Sequence, residues 1–250
     1  MFEEPFRWIE AISTRHSYVR EKLGKGQPVI AVPFNEGALL MGFSPQPGKI
    51  FEIYDRIAMG GLGHPADVEK LRMTLLDLAH IEGFNRSEQD VNISRLLQFG
   101  IAPALKQNFE EVMRAPYLVQ LLLVELDQES QPLFYRLNYD GHWETFKSGA
   151  IITGNIRMAE WIDKEIPKIP FSTLPLDQAL QKACNLWEEG HKQLSDGEKE
   201  KGEEPVTLKE AFKKWNLESA ILSRISPNRC LYRAVTPQEI EQVKKALVPS

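Results

Sequence analysis

The sequence has few cysteines, no long apolar run and no surplus of basic residues. Its 250 residues include two cysteines, Cys184 and Cys230, which lie too far apart to suggest a disulfide framework or a cysteine metal cluster. A reducing cytoplasm is therefore the expected compartment. The most apolar stretch, Tyr117 to Leu126, is interrupted by Gln120 and Glu125, so we expect no membrane span.

The charge distribution excludes two further classes of protein. Glu3 and Glu4 stand where a secretory signal would carry basic side chains, and no long apolar segment follows them, so export is not expected. The 30 basic and 35 acidic side chains give a net charge of −5. A general nucleic-acid binder would carry a basic face, so we expect no nucleic-acid partner.

The sequence contains no motif that identifies an enzyme or a cofactor site. Its five histidines are scattered without the spacing of metal ligands, so we predict no metal site and no cofactor. The run from Gly60 to Gly63 lacks the lysine and hydroxyl residue of a phosphate-binding loop, and we interpret it as a close-packing segment. No GxSxG sequence marks a hydrolase nucleophile.

The order of periodic segments predicts an α+β protein. Strands are predicted over residues 29–32, 37–43, 49–53, 57–63, 117–126, 133–138, 142–146, 150–154, 218–225 and 229–235. Helices are predicted over residues 15–25, 65–81, 87–113, 156–166, 176–189 and after a capping box at Thr236. This order buries two sheets beneath helices on both outer faces, as a four-layer αββα sandwich in a single domain over 1–250. Residues 1–14 are interpreted as a tail and 190–205 as a charged loop. The acidic stretch from Glu188 to Glu204 is expected to be either a solvated loop or a frayed extension of the preceding helix.

Several segments together resemble the proteasome α-type subunit family, nearest to its bacterial, actinobacterial-like branch. They are RHSYVREKLGKG and PVIAVPFNEGALLM near the start, GKIFEIYDRIAMGGLG followed by HPADVEKLR, YLVQLLLVELD in the centre, and LDQALQKACNLW with LESAILSRISPNRCLYRAVTPQEIEQVKKAL near the end. The resemblance runs, with gaps, from about Arg15 to Leu247. It implies the αββα fold of the N-terminal-nucleophile hydrolase superfamily, in agreement with the order of elements.

The resemblance implies that the chain carries no catalytic residues. Catalytic β-type relatives expose a threonine at the head of the first sheet strand, where its free amine helps to activate the hydroxyl. The matching position here is about Gln27, and no Thr, Ser or Cys lies between Ser17 and Ser44. The place of the family's catalytic aspartate is filled by Gly42 and Phe43.

Lys49 matches the catalytic lysine of β-type relatives and is the one residue of their catalytic set that this sequence retains. In α-type subunits the lysine at this position lies in a pocket that receives the carboxylate terminus of an ATPase subunit, a task suited to an ammonium group. Gly26 and Gly63 match positions that line the same pocket, and Arg20 adds charge. The alternatives are a solvated lysine at the start of a strand and ordinary turn or packing glycines.

The first residues depart most from the family. Phe2, Phe6, Trp8 and Ile9 make this segment apolar, and exposed aromatic side chains need something to pack against. We expect the tails to cluster around a ring axis and obstruct the pore, with a tail lying over its own subunit as the alternative.

The sequence therefore predicts a non-catalytic α-type subunit of a bacterial proteasome core particle. Its expected partners are copies of itself in a ring, seven by analogy with the family, β-type subunits, an ATPase unfoldase ring and unfolded protein substrates. Two alternatives remain open. One is an autonomous hydrolase of the same superfamily with an unrecognised nucleophile such as Thr14, and the other is a ring that works without β-type partners.

Overall fold

The computed structural model describes residues 5–45, 48–197, 205–225 and 230–248 and contains two five-stranded sheets. The first sheet has the order β10-β9-β2-β1-β8, and all of its pairs are antiparallel. Its strands are β1 (Val29–Phe34), β2 (Gly37–Ser44), β8 (Ala150–Ile152), β9 (Asn216–Ser223) and β10 (Tyr232–Ala234). The β1–β2 hairpin turns at Asn35 and Glu36, which confirms the turn predicted there.

The second sheet has the order β3-β4-β5-β6-β7 and is likewise antiparallel. Its strands are β3 (Ile50–Tyr54), β4 (Ile57–Gly63), β5 (Val119–Leu126), β6 (Pro132–Asn138) and β7 (Trp143–Phe146). The long buried strand β5 lies at its centre, as its apolar sequence predicts.

The helices cover the outer faces of both sheets, apart from the first, whose Val19 and Leu23 pack with the side chains between the sheets. They are α1 (Pro5–Leu23), α2 (Pro65–Asn85), α3 (Ile93–Leu96), α4 (Ala102–Glu110), α5 (Ile156–Glu165), α6 (Leu176–Gly197), α7 (Leu208–Lys214) and α8 (Pro237–Leu247). A π-helix, Leu97–Ile101, joins α3 to α4, and short 3₁₀ turns lie at Glu88–Asp90, Ile166–Lys168 and Phe171–Thr173. Helices α2 to α4 pack on the second sheet and α5 to α8 on the first.

The alternation of side chains along β1 and β2 separates the two hydrophobic layers of the first sheet. Leu39, Met41 and Phe43 point toward α5 to α8, whereas Ala38 and Leu40 point toward the second sheet. Both sets are fully buried, so each sheet is covered on both faces. The architecture is the four-layer αββα sandwich predicted from the sequence.

The glycine run in β4 confirms its interpretation as a close-packing segment. A Cβ atom on Gly60 would lie 2.8 Å from Cγ1 of Val29 in the facing sheet, and one on Gly61 would lie 2.5 Å from Cγ1 of Val68 in α2. The missing side chains thus let β4 approach both its neighbouring layers.

The observed helices differ from the predicted ones at several places. The continuous helix expected over 87–113 is divided into a 3₁₀ turn, α3, the π-helix and α4. Helix α6 continues eight residues past Glu189, to Gly197, so the alternative of a helix extension is confirmed there and the loop interpretation is wrong over 190–197; residues 198–204 lie outside the described residues. Helix α7 was not predicted, although Thr207 and Glu210 form a complete capping box there.

His191 on α6 is an acid-sensitive feature of the core. Its ring lies 4.1 Å from that of Trp187, and its Nε2 is buried with no hydrogen-bond partner in the part of the chain that the structure describes. Burial lowers its pKa from 6.5 to about 4.

We therefore expect acid to destabilise the fold through His191. Between pH 6.5 and 4 the unfolded chain binds this proton and the folded chain does not, so the loss of unfolding free energy grows as pH falls, to about 3 kcal/mol at most. Denaturant titrations across this pH range should show that the unfolding free energy of His191→Phe depends less on pH than that of the parent protein. The same change at the exposed His142 is the control, and equal slopes for the parent and His191→Phe would contradict the prediction.

No helix among the described residues is both long enough and apolar enough to cross a membrane.

Candidate functional site: a lysine pocket at the head of the first strand

A cavity of about 530 Å³ lies where the end of α1 meets the heads of β1 and β3 and the end of β4. Its polar lining residues are Lys25, Gln27, Ser44, Lys49 and Glu69, and its apolar ones include Pro45, Phe51, Leu62, Pro65, Val68 and Trp215. Gly26 and Gly63 also line it. Three of the four residues predicted for tail binding are thus brought together here, although they are distant in sequence.

Lys49 extends from the head of β3 across β2 toward Gln27, two residues before β1. Its Nζ donates a hydrogen bond to the backbone oxygen of Gln27 over 2.7 Å. A Cβ atom on Gly42 would lie 3.3 Å from Cε of Lys49, so the glycine leaves room for the lysine stem. The backbone N–H groups of Lys49 and Ile50 donate to Oε2 and Oε1 of Glu218 at 2.8 and 2.9 Å, which fixes the start of β3 on β9.

The surroundings of Lys49 shift its ionisation. Removal from water lowers its pKa from 10.5 to about 8, and the negative charge of Glu218 opposes that shift. The side chain is partly buried rather than fully exposed. The ammonium group is thus a partly buried cation that lines a mostly apolar cavity.

The two glycines have packing roles at the same place. Gly63 has φ of +131°, and a Cβ there would lie 1.9 Å from the backbone oxygen of Leu118, so a side chain cannot be accommodated. A Cβ on Gly26 would lie 2.5 Å from Cδ1 of Leu62. The packing interpretation of these glycines is correct, and it coexists with their position in the lining of the cavity.

Arg20 does not line this cavity. Its side chain is exposed on α1 and lies close enough to Tyr139, beyond the end of β6, for its charge to act on that hydroxyl. Burial raises the pKa of Tyr139, and the charge of Arg20 opposes that rise. Arg20 thus contributes to the attachment of α1 to the body of the protein.

The positions matched to a catalytic nucleophile and its aspartate carry neither group. Gln27 stands two residues before β1, with its backbone oxygen bound by Lys49. Phe43 is fully buried between α6 and α7, with its ring 4.7 Å from Trp187 and 5.2 Å from Phe212. Thr14, the alternative nucleophile, lies in α1, where its hydroxyl donates to the Glu10 backbone oxygen at 2.9 Å.

Helix α1 begins ten residues earlier than predicted. The tail interpreted over 1–14 and the helix predicted over 15–25 form one helix from Pro5, because proline suits a first turn and no other Pro or Gly precedes Gly24. Phe2 lies outside the described residues, and only the backbone of Phe6 is described. Trp8 and Ile9 are 46% and 58% exposed on the first turns of this helix.

The second half of α1 is anchored to the body. The Arg15 guanidinium donates to the backbone oxygens of Asn108 and Arg114, at 3.2 and 2.6 Å, beside the end of α4. Nδ1 of His16 lies 2.9 Å from the Tyr139 hydroxyl, within hydrogen-bonding distance. The anchored half and the half that carries Trp8 and Ile9 therefore belong to one rigid helix.

Two residues of the site escape sequence reasoning. Glu218 is 169 positions from Lys49, and no local pattern marks a strand glutamate as the acceptor for a distant strand start. Trp215 lines the cavity from the end of α7, a helix that was not predicted. The capping box at Thr207 was the signal that could have placed α7 and its tryptophan.

Comparison with known proteins agrees with the resemblance in the sequence. A family model described as "Proteasome subunit" matches residues 24–200. The protein named proteasome subunit alpha from Actinosynnema mirum is 28% identical over 227 residues, 90% of this chain and 81% of its own length. Its namesake from Streptosporangium roseum is 28% identical over 242 residues, 94% and 84% of the two chains. A third, from Nocardioides sp., is 32% identical over 135 residues, about half of each chain.

Proposed function

Because this chain belongs to the proteasome subunit family, on its α-type branch, we propose that it forms the non-catalytic outer ring of a bacterial proteasome core particle. The ring contains seven copies by analogy with the family. It assembles on a ring of threonine-dependent β-type subunits in the cytoplasm. It restricts entry to unfolded chains and docks an ATPase unfoldase.

The observation that carries this proposal is the cavity with Lys49. At the head of the first strand, a catalytic relative would present a hydroxyl and a free amine. Here Gln27 occupies that position and Lys49 presents a cation in an apolar cavity. A cavity with a cation and apolar walls suits the carboxyl terminus of a peptide whose last side chains are apolar. The carboxylate pairs with the cation while the side chains pack against the walls. This chemistry supports docking rather than cleavage.

Assembly is tested by co-expression with a β-type subunit. We expect electron microscopy to show stacked rings, and we expect peptide hydrolysis only when both chains are present. Inactivation of the β-type threonine should then remove all activity. Hydrolysis by this chain alone, lost on Thr14→Ala, would instead support the autonomous enzyme. Rings of native mass that form and work without the β-type chain would support the partner-independent alternative.

The exposed start of α1 supports the gate. Trp8 and Ile9 lie on the part of the helix that precedes its anchors at Arg15 and His16. In a ring these helix starts bring apolar side chains of several copies together, and burial of that surface favours a closed pore. The gate is thus a set of helical segments rather than unstructured tails.

Deletion of residues 1–10 should speed hydrolysis of small peptides by the reconstituted core particle several-fold, because it removes Trp8 and Ile9 and leaves the Arg15 and His16 anchors in place. Turnover of a fluorogenic tetrapeptide measures the effect. The double change Trp8→Ala with Ile9→Ala should act in the same direction, whereas Arg7→Ala, on the same exposed segment, is the control. Unchanged turnover in both gate variants would remove this segment from the gate.

A further inference from the structure

Lys49 combines the features of a reactive amine. Its Nζ donates a hydrogen bond to the backbone oxygen of Gln27. The carboxylate of Glu218 accepts the two backbone N–H groups of Lys49 and Ile50. The cavity beside the amine is large enough for a small ligand and is walled by Phe51 and other apolar side chains.

We propose that the Lys49 amine is an acylation site for acyl thioesters with apolar chains, and that its acylation switches off docking at this cavity. The first half of this inference stands on the cavity and the position of the amine. The second half rests on the proposed function, because only a docking site can be switched off. The acyl chain would lie against Phe51, Leu62 and Val68, where it leaves water.

The reaction balances without any further reagent. The neutral amine attacks the thioester carbonyl, a C–N bond forms and the C–S bond breaks. The thiolate departs, and one proton leaves the nitrogen for solvent or for the thiolate. The product is an amide that retains an N–H donor but carries no charge. A carboxylate that needs an ammonium partner would then meet a neutral group and an occupied cavity.

The ionisation of the amine supports this choice among the lysines. With a pKa of about 8, about a quarter of Lys49 is neutral at pH 7.5, against about one in a thousand for a lysine with the ordinary pKa of 10.4. The charged groups around it are Glu218 of β9, Lys25 at the end of α1 and Glu69 of α2. Lys25 lines the same cavity but is exposed and paired with Glu21 at 3.7 Å, which makes it the matched comparison.

The experiment treats the full-length protein with the hexanoyl thioester of N-acetylcysteamine over a pH series from 6.5 to 9. Peptide mapping by mass spectrometry then gives the rate at each lysine. We expect Lys49 to react at least tenfold faster than Lys25 at pH 7.5. The rate at Lys49 should level off near pH 8. A short acetyl thioester should show a smaller preference for Lys49 over Lys25, because its chain buries less apolar surface in the cavity. Equal rates at the two lysines would overturn the proposal.

Failure of this inference and failure of the proposed function give different results. If Lys49 is acylated first but neither acylation nor Lys49→Met changes ATPase docking, the acylation site stands and the docking function fails. If Lys49→Met abolishes docking but Lys49 reacts no faster than Lys25, docking stands and the inference is wrong. If acylation to completion leaves docking intact while Lys49→Met abolishes it, the switch is wrong.

Discussion

Replacement of Lys49 by methionine should weaken docking of the ATPase ring by about 30-fold to several thousand-fold. Removal of one partner from a desolvated, hydrogen-bonded charge pair costs about 2 to 5 kcal/mol, and each 1.4 kcal/mol is tenfold. Methionine keeps the apolar stem, so the packing across Gly42 is retained. Biolayer interferometry with the ATPase ring measures docking, and turnover of a small peptide should remain unchanged because the pore is untouched.

Lys25→Met is the matched control for this prediction. Lys25 lines the same cavity and carries the same charge, but it is exposed at the end of α1. Its removal should change docking by less than about threefold, because exposed ion pairs contribute about 1 kcal/mol or less. Equal losses in the two variants would show that the overall positive charge of the rim, and not the Lys49 ammonium, attracts the ATPase.

The same Lys49→Met variant should be more stable than the parent at neutral pH. The pKa of Lys49 falls from 10.5 in the unfolded chain to about 8 in the folded one. Between these values only the unfolded chain binds the proton, so the folded state loses stability as pH falls from 10.5 to 8 and bears the full cost below pH 8. The shift sets an upper limit of about 3 kcal/mol, and the partial exposure of Lys49 and its bond to Gln27 reduce it. A rise in Tm at pH 7 that disappears near pH 11 is expected; a fall in Tm at pH 7 would contradict it.

The expected cost of Lys49 to stability at neutral pH bears on its function. Residues that destabilise a fold persist where activity needs them, and a packing role would have been served better by methionine. A Cβ atom on Gly42 would lie 3.2 Å from the backbone oxygen of Pro28 and 3.3 Å from Cε of Lys49, so the glycine makes room for both the backbone at the head of β1 and the lysine stem. Lys49 thus combines an expected cost to stability with a position in the lining of the cavity.

The local sequence predicts the strands more accurately than it predicts the helices between them. Strand β4 is predicted with its observed bounds because its apolar run is flanked by a turn and by Pro65. The predicted helix over 87–113 fails because a distant contact divides it. The buried carboxylate of Glu125, in β5, accepts the backbone N–H of Ile93, while Asn92 caps the helix that begins there. No local sequence pattern near residue 93 indicates that a carboxylate 32 positions away will accept a hydrogen bond there.

The candidate site was predictable in its chemistry but not in its geometry. The resemblance placed Lys49, Gly26 and Gly63 together, and the cavity contains all three. Arg20 was misplaced because its position on α1 was known but the rotation of the helix was not, and it faces Tyr139. The depressed pKa of Lys49 depends on burial that only the packed layers produce.

Phe43→Asp should largely unfold the protein rather than restore part of a catalytic site. The ring of Phe43 is 0% exposed and contacts Trp187 and Phe212, so a carboxylate there would be buried without a cationic partner. Truncation of a buried phenylalanine alone costs about 3 to 5 kcal/mol, and burial of an unpaired charge adds to it. The sum, at least about 5 kcal/mol, is comparable with the whole stability of many domains. Soluble yield and guanidinium titration measure the loss.

Phe43→Leu separates lost packing from buried charge. It keeps the site apolar and should cost about 1 to 2 kcal/mol, with a cooperative transition retained. Adjacent residues on a strand face opposite layers, so Phe43 points to α6 and α7 while Gly42 faces the Lys49 stem. If the aspartate variant unfolded at the same denaturant concentration as the leucine variant, this position would have to open toward the cavity. In that case the aromatic cluster would not explain why a carboxylate is absent at this position. The matching strand of β-type relatives holds the catalytic aspartate.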